Sequence, residues 1–549
     1  MSKPPAFFTA LLFIAVGSLT AVAAPAKTTP AVPTSGRWVA WTDTPALAWE
    51  DAFPTGNGRH GTMPCGAPGS ERIICVHEEL FLRSYDRKTV AVADIAKLMP
   101  EVRRLANEGK VRQAAKLACD EARKQLAAKG APQEWALMPH PAFDLGIRQT
   151  LTGKATGYRR ELDMETGVAR IAWKDDAGGY EQSVFSSRTA DVNVVRLKSS
   201  GGRKLDVSLD LSETPGRTGD NVGIDLSGGI VDLQRDAKPG WLTYHARYGH
   251  DSGGYEGLAR VIPGKGGSMV VENGRLHVTD TDDILILLRI TPLADGKATR
   301  QNSVKDALAA LPADYEALLA AHARKHGDMF RRVSLDMGAA KEWGSVPVRQ
   351  LLADIRAKGP SPLFYEQMHA MGRYLLISSS GKYPPPLQGI WGGSWKPRWV
   401  GGFVLDTNLN LAISNISMGD LPECAESYFG YVERVLPGWR KNARGYMGCR
   451  GFLVPHYSDP ETGYLCHFND IYPWMYWPAG AGWNIMPFYE HAMITGDLAF
   501  LRKRVLPLYR EMADFYEDYL TEGKDGRLHV VPSISPENSR FHVRDGLLS

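Results

Sequence analysis

Residues 158–186, YRRELDMETGVARIAWKDDAGGYEQSVFS, decide the fold of the first half of the chain. Three short runs with apolar and aromatic side chains are separated by two turns that contain glycine, which is typical of an antiparallel meander. Residues 205–211, where apolar and polar side chains alternate, and the apolar run 284–290 are further strand candidates. We therefore predict a large antiparallel β-sandwich over residues 36–300.

Apolar residues recur with the period of an α-helix in several segments of the chain. Residues 90–129 are predicted to form a helical insertion in the sandwich. From Ser303 onward, Ala and Leu recur at i, i+3 and i+4 spacing, which predicts a helical linker over residues 301–360. Residues 361–549 alternate amphipathic segments with aromatic, Gly- and Pro-rich loops, so we expect an all-helical second domain built from paired helices.

The composition and the charge narrow the range of functions. Apolar residues make up 44% of the chain and charged residues 23%, which is typical of a globular protein. The 64 Lys and Arg residues nearly balance the 61 Asp and Glu residues, and no long run of either sign occurs. We therefore expect no nucleic-acid partner and favour an electrically neutral substrate.

Residues 1–23 have the features of a cleavable export signal. Lys3 precedes an apolar run at residues 7–16, and the small residues 21–23 form a cleavage site. The Pro-, Ala- and Thr-rich residues 24–35 follow as a linker. Because no later apolar run reaches the ~20 residues that a membrane span needs, we expect a secreted or periplasmic protein without a membrane anchor.

Tryptophan is concentrated in the second half of the chain, where seven of the fourteen Trp residues fall between Trp391 and Trp483. Several stand in loops beside Gly and Pro, where an indole can present a flat apolar face to the C–H face of a sugar. Neutral hydrogen-bonding side chains are interleaved with them, which suits a ligand made of hydroxyl groups; a loop core is the alternative interpretation. The predicted sugar-contacting residues are Gln388, Trp391, Trp399, His456, Trp477, Trp483 and Asn538.

Two other patterns have structural interpretations. Residues 56–61, GNGRHG, match the glycine spacing of a dinucleotide-binding loop, but neither the preceding strand nor the following helix of that motif is predicted there. His322 and His326 lie one helical turn apart without an evident third ligand. We therefore predict a glycine-shaped loop at the first position, a solvent-facing histidine pair at the second, and no metal site.

Residues 532–538, PSISPEN, place one carboxylate, Glu537, in a loop stiffened by proline. A glycosidase needs a carboxylic acid that is held rigidly and is partly desolvated, so that it can protonate the leaving oxygen. Glu537 could supply that acid. On the local sequence alone, a glutamate that braces the loop or caps a helix is the favoured interpretation.

Several segments, taken in order along the chain, resemble glycoside hydrolase family 95, whose known members are mainly inverting α-L-fucosidases, with some acting on α-L-galactosides. The resemblance covers almost the whole chain after the export signal. It is carried by the segments FPTGNGR (53–59), YRRELD (158–163), GRYLLISSS (372–380), LQGIW (387–391), NLN (408–410) and SISPEN (533–538).

The resemblance implies an N-terminal β-sandwich, a helical linker and an (α/α)6 barrel whose loops form the active site, with no cofactor and no metal. It implies that Glu537 is the general acid and that Asn408 and Asn410 hold the attacking water beside a catalytic aspartate. An amide accepts a proton poorly near pH 7, so the two asparagines would position the water without replacing that base. The implied partner is an oligosaccharide or polysaccharide substrate.

The catalytic aspartate of the family lies in a loop well after the acid, whereas this chain ends at Ser549. Residues 361–549 are also too few for twelve barrel helices, so we expect a partial barrel that hydrolyses little or nothing by itself. Asp406, Asp459 and Asp470 lie in aromatic loops and are the substitutes for the base within the chain. The alternatives are a carbohydrate-binding protein that lacks the base, and a phosphorylase built on the same barrel.

Overall fold

The structure is a computed structural model that describes residues 37–83, 85–131, 137–216, 229–465 and 467–536. The predicted export signal and linker (residues 1–23 and 24–35) lie outside the described residues, as do Glu537 and Asn538.

The described part of the N-terminal half consists mainly of β-strands. In chain order these are β1 (Val39–Thr42), β2 (Thr55–Gly56), β3 (His60–Pro64), β4 (Ser70–His77), β5 (Phe81–Arg83), β6 (Leu137–Pro139), β7 (Phe143–Gln149), β8 (Thr156–Asp163), β9 (Val168–Asp175), β10 (Gly178–Ser187), β11 (Val192–Ser200), β12 (Leu205–Ser212), β13 (Ile230–Lys238), β14 (Trp241–Tyr248), β15 (Gly254–Pro263), β16 (Ser268–Glu272), β17 (Arg275–Thr281) and β18 (Asp283–Leu293).

Two antiparallel sheets make up the sandwich. Within the described residues, one sheet has nine strands in the order β1-β8-β9-β10-β11-β18-β15-β14-β13, and the other has seven in the order β16-β17-β12-β7-β4-β3-β2. Strands β8, β9 and β10 are neighbours in the first sheet, as the meander predicts, with Tyr180 opposite Trp173. The alternation in β12 buries Leu205, Val207 and Leu209 between the sheets. The predicted antiparallel sandwich is confirmed.

The described helices are α1 (Met99–Asn107) and α2 (Val111–Ala128), which form the predicted insertion, and those that follow the sandwich. The latter are α3 (Gln301–Ala310), α4 (Tyr315–Arg331), α5 (Val348–Lys358), α6 (Pro362–Ser379), α7 (Asn408–Ala412), α8 (Pro422–Asn442), α9 (Gly480–Thr495), α10 (Leu498–Phe500) and α11 (Leu506–Tyr519). Short strands lie between or after them: β19 (Leu387–Ile390), β20 (Phe403–Val404), β21 (Tyr457–Ser458), β22 (Thr521–Glu522) and β23 (Leu528–His529). The predicted helical second half is confirmed.

The helical insertion packs on the helical half of the chain. Ala118 and Ala122 of α2 belong to the same buried apolar cluster as Tyr374 of α6 and Tyr428 of α8. The backbone N–H of Ile95 donates to the carbonyl of Gly445 at 2.9 Å. The insertion therefore buries its apolar face against the elements that carry the candidate site.

The prediction that His322 and His326 face solvent is wrong. Both are fully buried on the face of α4 that meets the sandwich, where His322 stacks on Phe185 with ring centroids 4.9 Å apart. The Arg188 backbone N–H donates to His322 Nδ1 at 3.2 Å, and His326 Nε2 lies 3.1 Å from the carbonyl of Met164. Burial and the charge of Arg188 lower the pKa of His322 to about 3, so this side chain packs as a neutral ring. Helical spacing places the pair on one face but does not decide which face the sandwich covers.

Candidate active site

The two asparagines of the NLN segment lie on the short helix α7. Asn408 is exposed, whereas Asn410 is only 7% exposed. The Asn410 side-chain N–H donates to the carbonyl of Trp483 at 2.8 Å, which fixes the orientation of the amide and directs its donor toward α9. The amide of Asn410 is thus fixed by a hydrogen bond, and the amide of Asn408 is open to solvent.

A carboxylate and an imidazole meet where β20 pairs with β21. The ladder aligns Val404 with Tyr457, and the next hydrogen bond runs from Leu405 N to His456 O at 2.8 Å. This register brings Asp406 Oδ2 to 3.5 Å from His456 Nε2, with the two residues 8% and 3% exposed. The sequence identifies Asp406 and His456 as separate candidates, but it does not predict that they are neighbours, because they lie fifty positions apart in the chain.

An aromatic wall stands beside this pair. The His456 ring stacks on Trp474 with centroids 3.9 Å apart and an interplanar angle of 19°, and His467 lies 4.8 Å from the same indole. Burial, followed by the nearby His456, lowers the pKa of His467 to about 3. His467 is therefore neutral near pH 7 and can only take part in hydrogen bonding or stacking.

The start of α9 holds the segment that carries Asp406 in place. The Asn484 side-chain N–H donates to Leu405 O at 3.2 Å and to Gly480 O at 3.0 Å. The Tyr428 hydroxyl of α8 donates to the carbonyl of Asn484 at 2.6 Å. Asn484 has no place in the predicted site; its polar side chain next to Trp483, within the largely apolar run GAGWNIMPF, is the signal that could have revealed it.

Buried polar atoms are left unpaired around this point. Polar atoms that are buried without a partner are rare in folded proteins and commonly mark a ligand or water site. The Asp406–His456 pair, the His456–Trp474 stack and the hydrogen bonds from Asn484 to Leu405 and from Asn410 to Trp483 link these groups into one patch. Counting hydrogen-bond partners only within the part of the chain that the structure describes, the unpaired atoms are Asp406 Oδ1, Asn410 Oδ1, His456 Nδ1 and Nε2, Trp474 Nε1 and Asn484 Oδ1.

The loop that leads to Glu537 is tied to the same patch. Ile534 N donates to Tyr476 O at 2.7 Å, and the Tyr519 hydroxyl donates to the carbonyl of Pro532. Arg103, on α1 of the insertion, donates to the carbonyls of Val531 at 3.1 Å and of Tyr519 at 2.8 Å. The described segment ends at Pro536, one residue before Glu537.

The other predicted sugar contacts occupy different surroundings. Trp477 is buried against Gly480, and Trp483 is partly exposed at the start of α9. Gln388 and Trp391 line a cleft of about 1410 Å³ that also borders α6 and, through Leu411 and Ala412, the end of α7. The Trp391 indole N–H donates to Thr55 O at 2.9 Å and is thus already engaged.

Trp399 is 66% exposed and has a left-handed backbone, with φ of 47°. Val400 follows with φ of 53°, which is an uncommon conformation for a β-branched residue. These two residues hold a large indole out in solvent ahead of β20. The structure thus brings Asn410, His456, Trp477 and Trp483 together near the patch, whereas Gln388 and Trp391 line the cleft that borders the end of α7.

The described residues contain no group of three or more His, Cys, Asp or Glu side chains arranged to hold a metal ion. Among the described helices, none combines the length and the apolar character that crossing a bilayer requires.

Two family models match the chain. The model described as "Glycosyl hydrolase family 65, N-terminal domain" matches residues 40–293, which form the sandwich. The model described as "Glycosyl hydrolase family 95 catalytic domain" matches residues 314–546, which include α7, the aromatic wall and the segment up to Glu537 and beyond.

The chain is similar to "Alpha-L-fucosidase 2" of Arabidopsis thaliana, with 28% identity over 535 residues, covering 90% of this chain and 60% of the relative. It is 24% identical to "Probable alpha-fucosidase A" of Aspergillus niger, covering 91% of this chain and 63% of the relative. The chain thus spans about three fifths of the length of these relatives.

A solved structure assigned as a kojibiose phosphorylase from the human microbiome matches 92% of this chain and 62% of its own length, with a TM-score of 0.58 and 10% identity. That likeness shows a shared fold. The helical half, which contains the buried Asn410, thus matches the catalytic domain of glycoside hydrolase family 95, and the sandwich matches the N-terminal domain of family 65.

Proposed function

We propose that the chain is a glycoside hydrolase that releases terminal α-L-fucosyl, or α-L-galactosyl, residues from oligosaccharides or polysaccharides with inversion of configuration. The patch of unpaired buried polar atoms around the His456–Trp474 stack carries this proposal. Tyr476, two residues after Trp474, accepts a hydrogen bond at its backbone carbonyl from the loop before Glu537. The names of the fucosidase relatives support the same class of substrate.

In the proposed mechanism, Glu537 protonates the glycosidic oxygen as the bond to the aglycone breaks. A carboxylic acid performs this step near neutral pH when an apolar environment raises its pKa. Ile534, three residues before Glu537, bonds to the carbonyl of Tyr476 and is buried in the apolar cluster that contains Trp474 and Tyr476, which supports such an environment for the acid. A water molecule attacks the anomeric carbon from the opposite face of the sugar, oriented by the amides of Asn408 and Asn410.

An inverting enzyme also needs a second carboxylate, roughly 6.5–9.5 Å from the acid, to take the proton from the attacking water. Asp459 is poorly suited, because its Oδ1 accepts hydrogen bonds from the backbone N–H groups of Glu461 and Thr462, and its Oδ2 accepts one from the Tyr85 hydroxyl. Asp406 keeps Oδ1 without a partner among the described residues. Of these two aspartates, Asp406 is the better candidate for a base within the chain.

We propose nevertheless that the base lies in a segment outside these 549 residues, and that the chain alone hydrolyses little or nothing. The relatives are longer than this chain, and several of its helices leave large apolar side chains exposed. The exposed side chains include Tyr365, Met368, Leu411, Met418, Met486, Tyr489 and Met493.

The test compares residues 24–549 with a version extended through the downstream coding sequence. Both are assayed with chromogenic L-fucosides, L-galactosides and D-galactosides and with fucosylated oligosaccharides. Proton NMR of the sugar at first appearance identifies the anomer, and an α-fucoside that yields β-L-fucose first shows inversion. Full activity of the 549-residue chain would refute the missing-base proposal and make Asp406 the leading base.

Two other outcomes of the same assay indicate other functions. Binding of L-fucose without turnover by the extended version would favour a carbohydrate-binding protein. Cleavage that depends on added phosphate would identify a phosphorylase.

We also propose export through the signal at residues 1–23. Mass spectrometry of the protein recovered outside the cytoplasm should find an N-terminus close to Ala24. An uncleaved cytoplasmic product would contradict this proposal.

A further inference from the structure

A second cavity, of about 390 Å³, lies at one end of the nine-stranded sheet. Its walls come from the end of β14, the end of β18, strand β5 and two residues of the helical half, Lys382 and Glu461. None of the unpaired atoms of the candidate active site belongs to its lining. Its volume falls within the ~300–1,000 Å³ of typical small-molecule sites.

Cations outnumber acids in the lining of this cavity. The six cationic residues are Arg59, Arg83, Arg87, Arg289, Arg300 and Lys382, and the three acids are Glu79, Asp191 and Glu461. Burial lowers the pKa of His60, which also lines the cavity, to about 4, so His60 adds no charge near pH 7.

The ion pairs leave part of this positive charge unbalanced. Arg59 and Arg289 share one carboxylate, Asp191, at 2.9 and 3.1 Å. Arg87 forms an ion pair at 2.6 Å with Asp251, which does not line the cavity, and Lys382 pairs with Glu79. The exposed Arg300 guanidinium forms no ion pair with any described residue, so the mouth of the cavity keeps an excess of positive charge.

The buried part of the cavity contains donors without acceptors. Arg83 is 2% exposed and donates from Nη2 to Glu461 at 2.9 Å; its Nε lies 3.7 Å from Asp251 Oδ2, beyond hydrogen-bond distance, and its Nη1 has no hydrogen-bond partner among the described residues. The Thr291 hydroxyl, which also lines the cavity, is likewise unpaired in the described part of the chain. A buried guanidinium with unused donors is costly unless an acceptor reaches it.

The lining matches a sugar that carries a negative charge. A guanidinium offers paired N–H groups with the spacing of carboxylate or sulfate oxygens. The rings of Phe81 and Tyr248 add apolar surface of the kind that packs on the C–H groups of a pyranose. A free inorganic anion would use the arginines and would not cover the small part of each ring that faces the cavity.

We propose that this cavity is a binding site for a sugar unit bearing one oxyanion group, either a carboxylate or a sulfate ester. The site is separate from the catalytic patch, so the proposal does not depend on fucoside hydrolysis. Glu461 follows His456 in the same loop, and an acidic sugar bound to the Arg83–Glu461 pair would therefore contact the loop that also forms the active site.

The test is isothermal titration calorimetry on the 549-residue chain at low salt. The ligands are D-galacturonate, galactose 6-sulfate, neutral D-galactose and inorganic phosphate. We expect one or both acidic sugars to bind at least about tenfold more tightly than galactose and phosphate, and less tightly at high salt. Equal binding of galactose, equal binding of phosphate, or no binding of either acidic sugar would overturn the proposal.

Arg300→Glu reverses a charge at the mouth of the cavity without disturbing a buried contact. We expect it to weaken binding of the acidic sugar by about tenfold or more. Arg510→Glu, at an exposed arginine of α11 outside the lining, is the matched control and should leave the affinity unchanged. Equal affinities of the two variants would place the acidic sugar elsewhere and overturn the assignment.

Discussion

Asp406 Oδ2 lies 3.5 Å from His456 Nε2, at the point where β20 and β21 leave their ladder. Asp459 lies in the same loop as His456, but its carboxylate accepts four hydrogen bonds, from Glu461 N, Thr462 N, the Thr462 hydroxyl and the Tyr85 hydroxyl. Asp406 therefore keeps an oxygen that can accept a further hydrogen bond, whereas both carboxylate oxygens of Asp459 already accept hydrogen bonds within the fold.

This contrast predicts different effects for two isosteric substitutions. Asp406→Asn should lower the affinity for L-fucose by about tenfold or more while leaving the melting temperature nearly unchanged, since it keeps the size of the side chain and accepts no hydrogen bond fewer within the described fold. Asp459→Asn should instead lower the free energy of unfolding by about 1.5–3 kcal/mol. Calorimetric titration and thermal melts measure the two effects, and the opposite pattern would show that Asp406 is structural.

Glu537→Gln tests the proposed acid in the catalytically competent, extended version of the protein. Turnover should fall by ~10²–10⁴ for glycosides with poor leaving groups, because these need protonation of the departing oxygen. Activated aryl glycosides should be affected less. Equal losses on both substrates, together with a lower melting temperature, would indicate a residue that braces the loop.

Arg103 should be required for the position of the loop that precedes Glu537. Arg103→Ala removes hydrogen bonds to the carbonyls of Val531 and Tyr519, so it should destabilise the fold by roughly 1–3 kcal/mol and lower turnover of the extended version. Arg104→Ala, on the same helix, removes only exposed ion pairs with Glu101 and Glu108 and should change neither property. Thermal melts and turnover measurements on both variants check this; similar behaviour of the two would argue against the anchor.

The buried His322 should make stability depend on pH in a defined direction. The pKa of His322 is about 3 in the folded protein and about 6.5 in the unfolded chain. Between these two pH values the unfolded state therefore binds a proton at this side chain and the folded state does not. His322 therefore leaves the free energy of unfolding unchanged above pH 6.5. From pH 6.5 down to the folded pKa, its protonation in the unfolded state lowers the free energy of unfolding by about 1.4 kcal/mol per pH unit.

Melting temperatures of the wild type and of His322→Gln, measured from pH 7 to pH 4, check this prediction. The variant should lose less stability on acidification than the wild type does. His277→Gln, at a partly exposed histidine of β17 that forms no ion pair with a described residue, is the control and should follow the wild-type curve. A variant with the wild-type slope would show that His322 is not responsible.

Much of the fold could be predicted from short stretches of sequence. The alternation in residues 205–211 predicts a half-buried strand, and β12 spans Leu205–Ser212 with that alternation of burial. The crowding of tryptophan and histidine predicts an aromatic site, and His456 and Trp474 do stack on each other. Which histidines are buried could not be predicted, because the spacing of His322 and His326 is the same on a covered face as on an open one.

The sequence by itself determined the strands, the helices and the segments that carry the family resemblance, because backbone propensity and hydrophobic periodicity act over a few neighbouring residues. Only the tertiary structure decided which distant groups meet. It placed Asp406 beside His456, Arg103 under a loop 428 residues away, and the indole of Trp391 on the carbonyl of Thr55. These contacts depend on strand register and on how the insertion packs against the helices, and many chain positions compete for each of them. A local sequence pattern does not determine which of these distant residues come into contact, because that depends on the packing of the whole core.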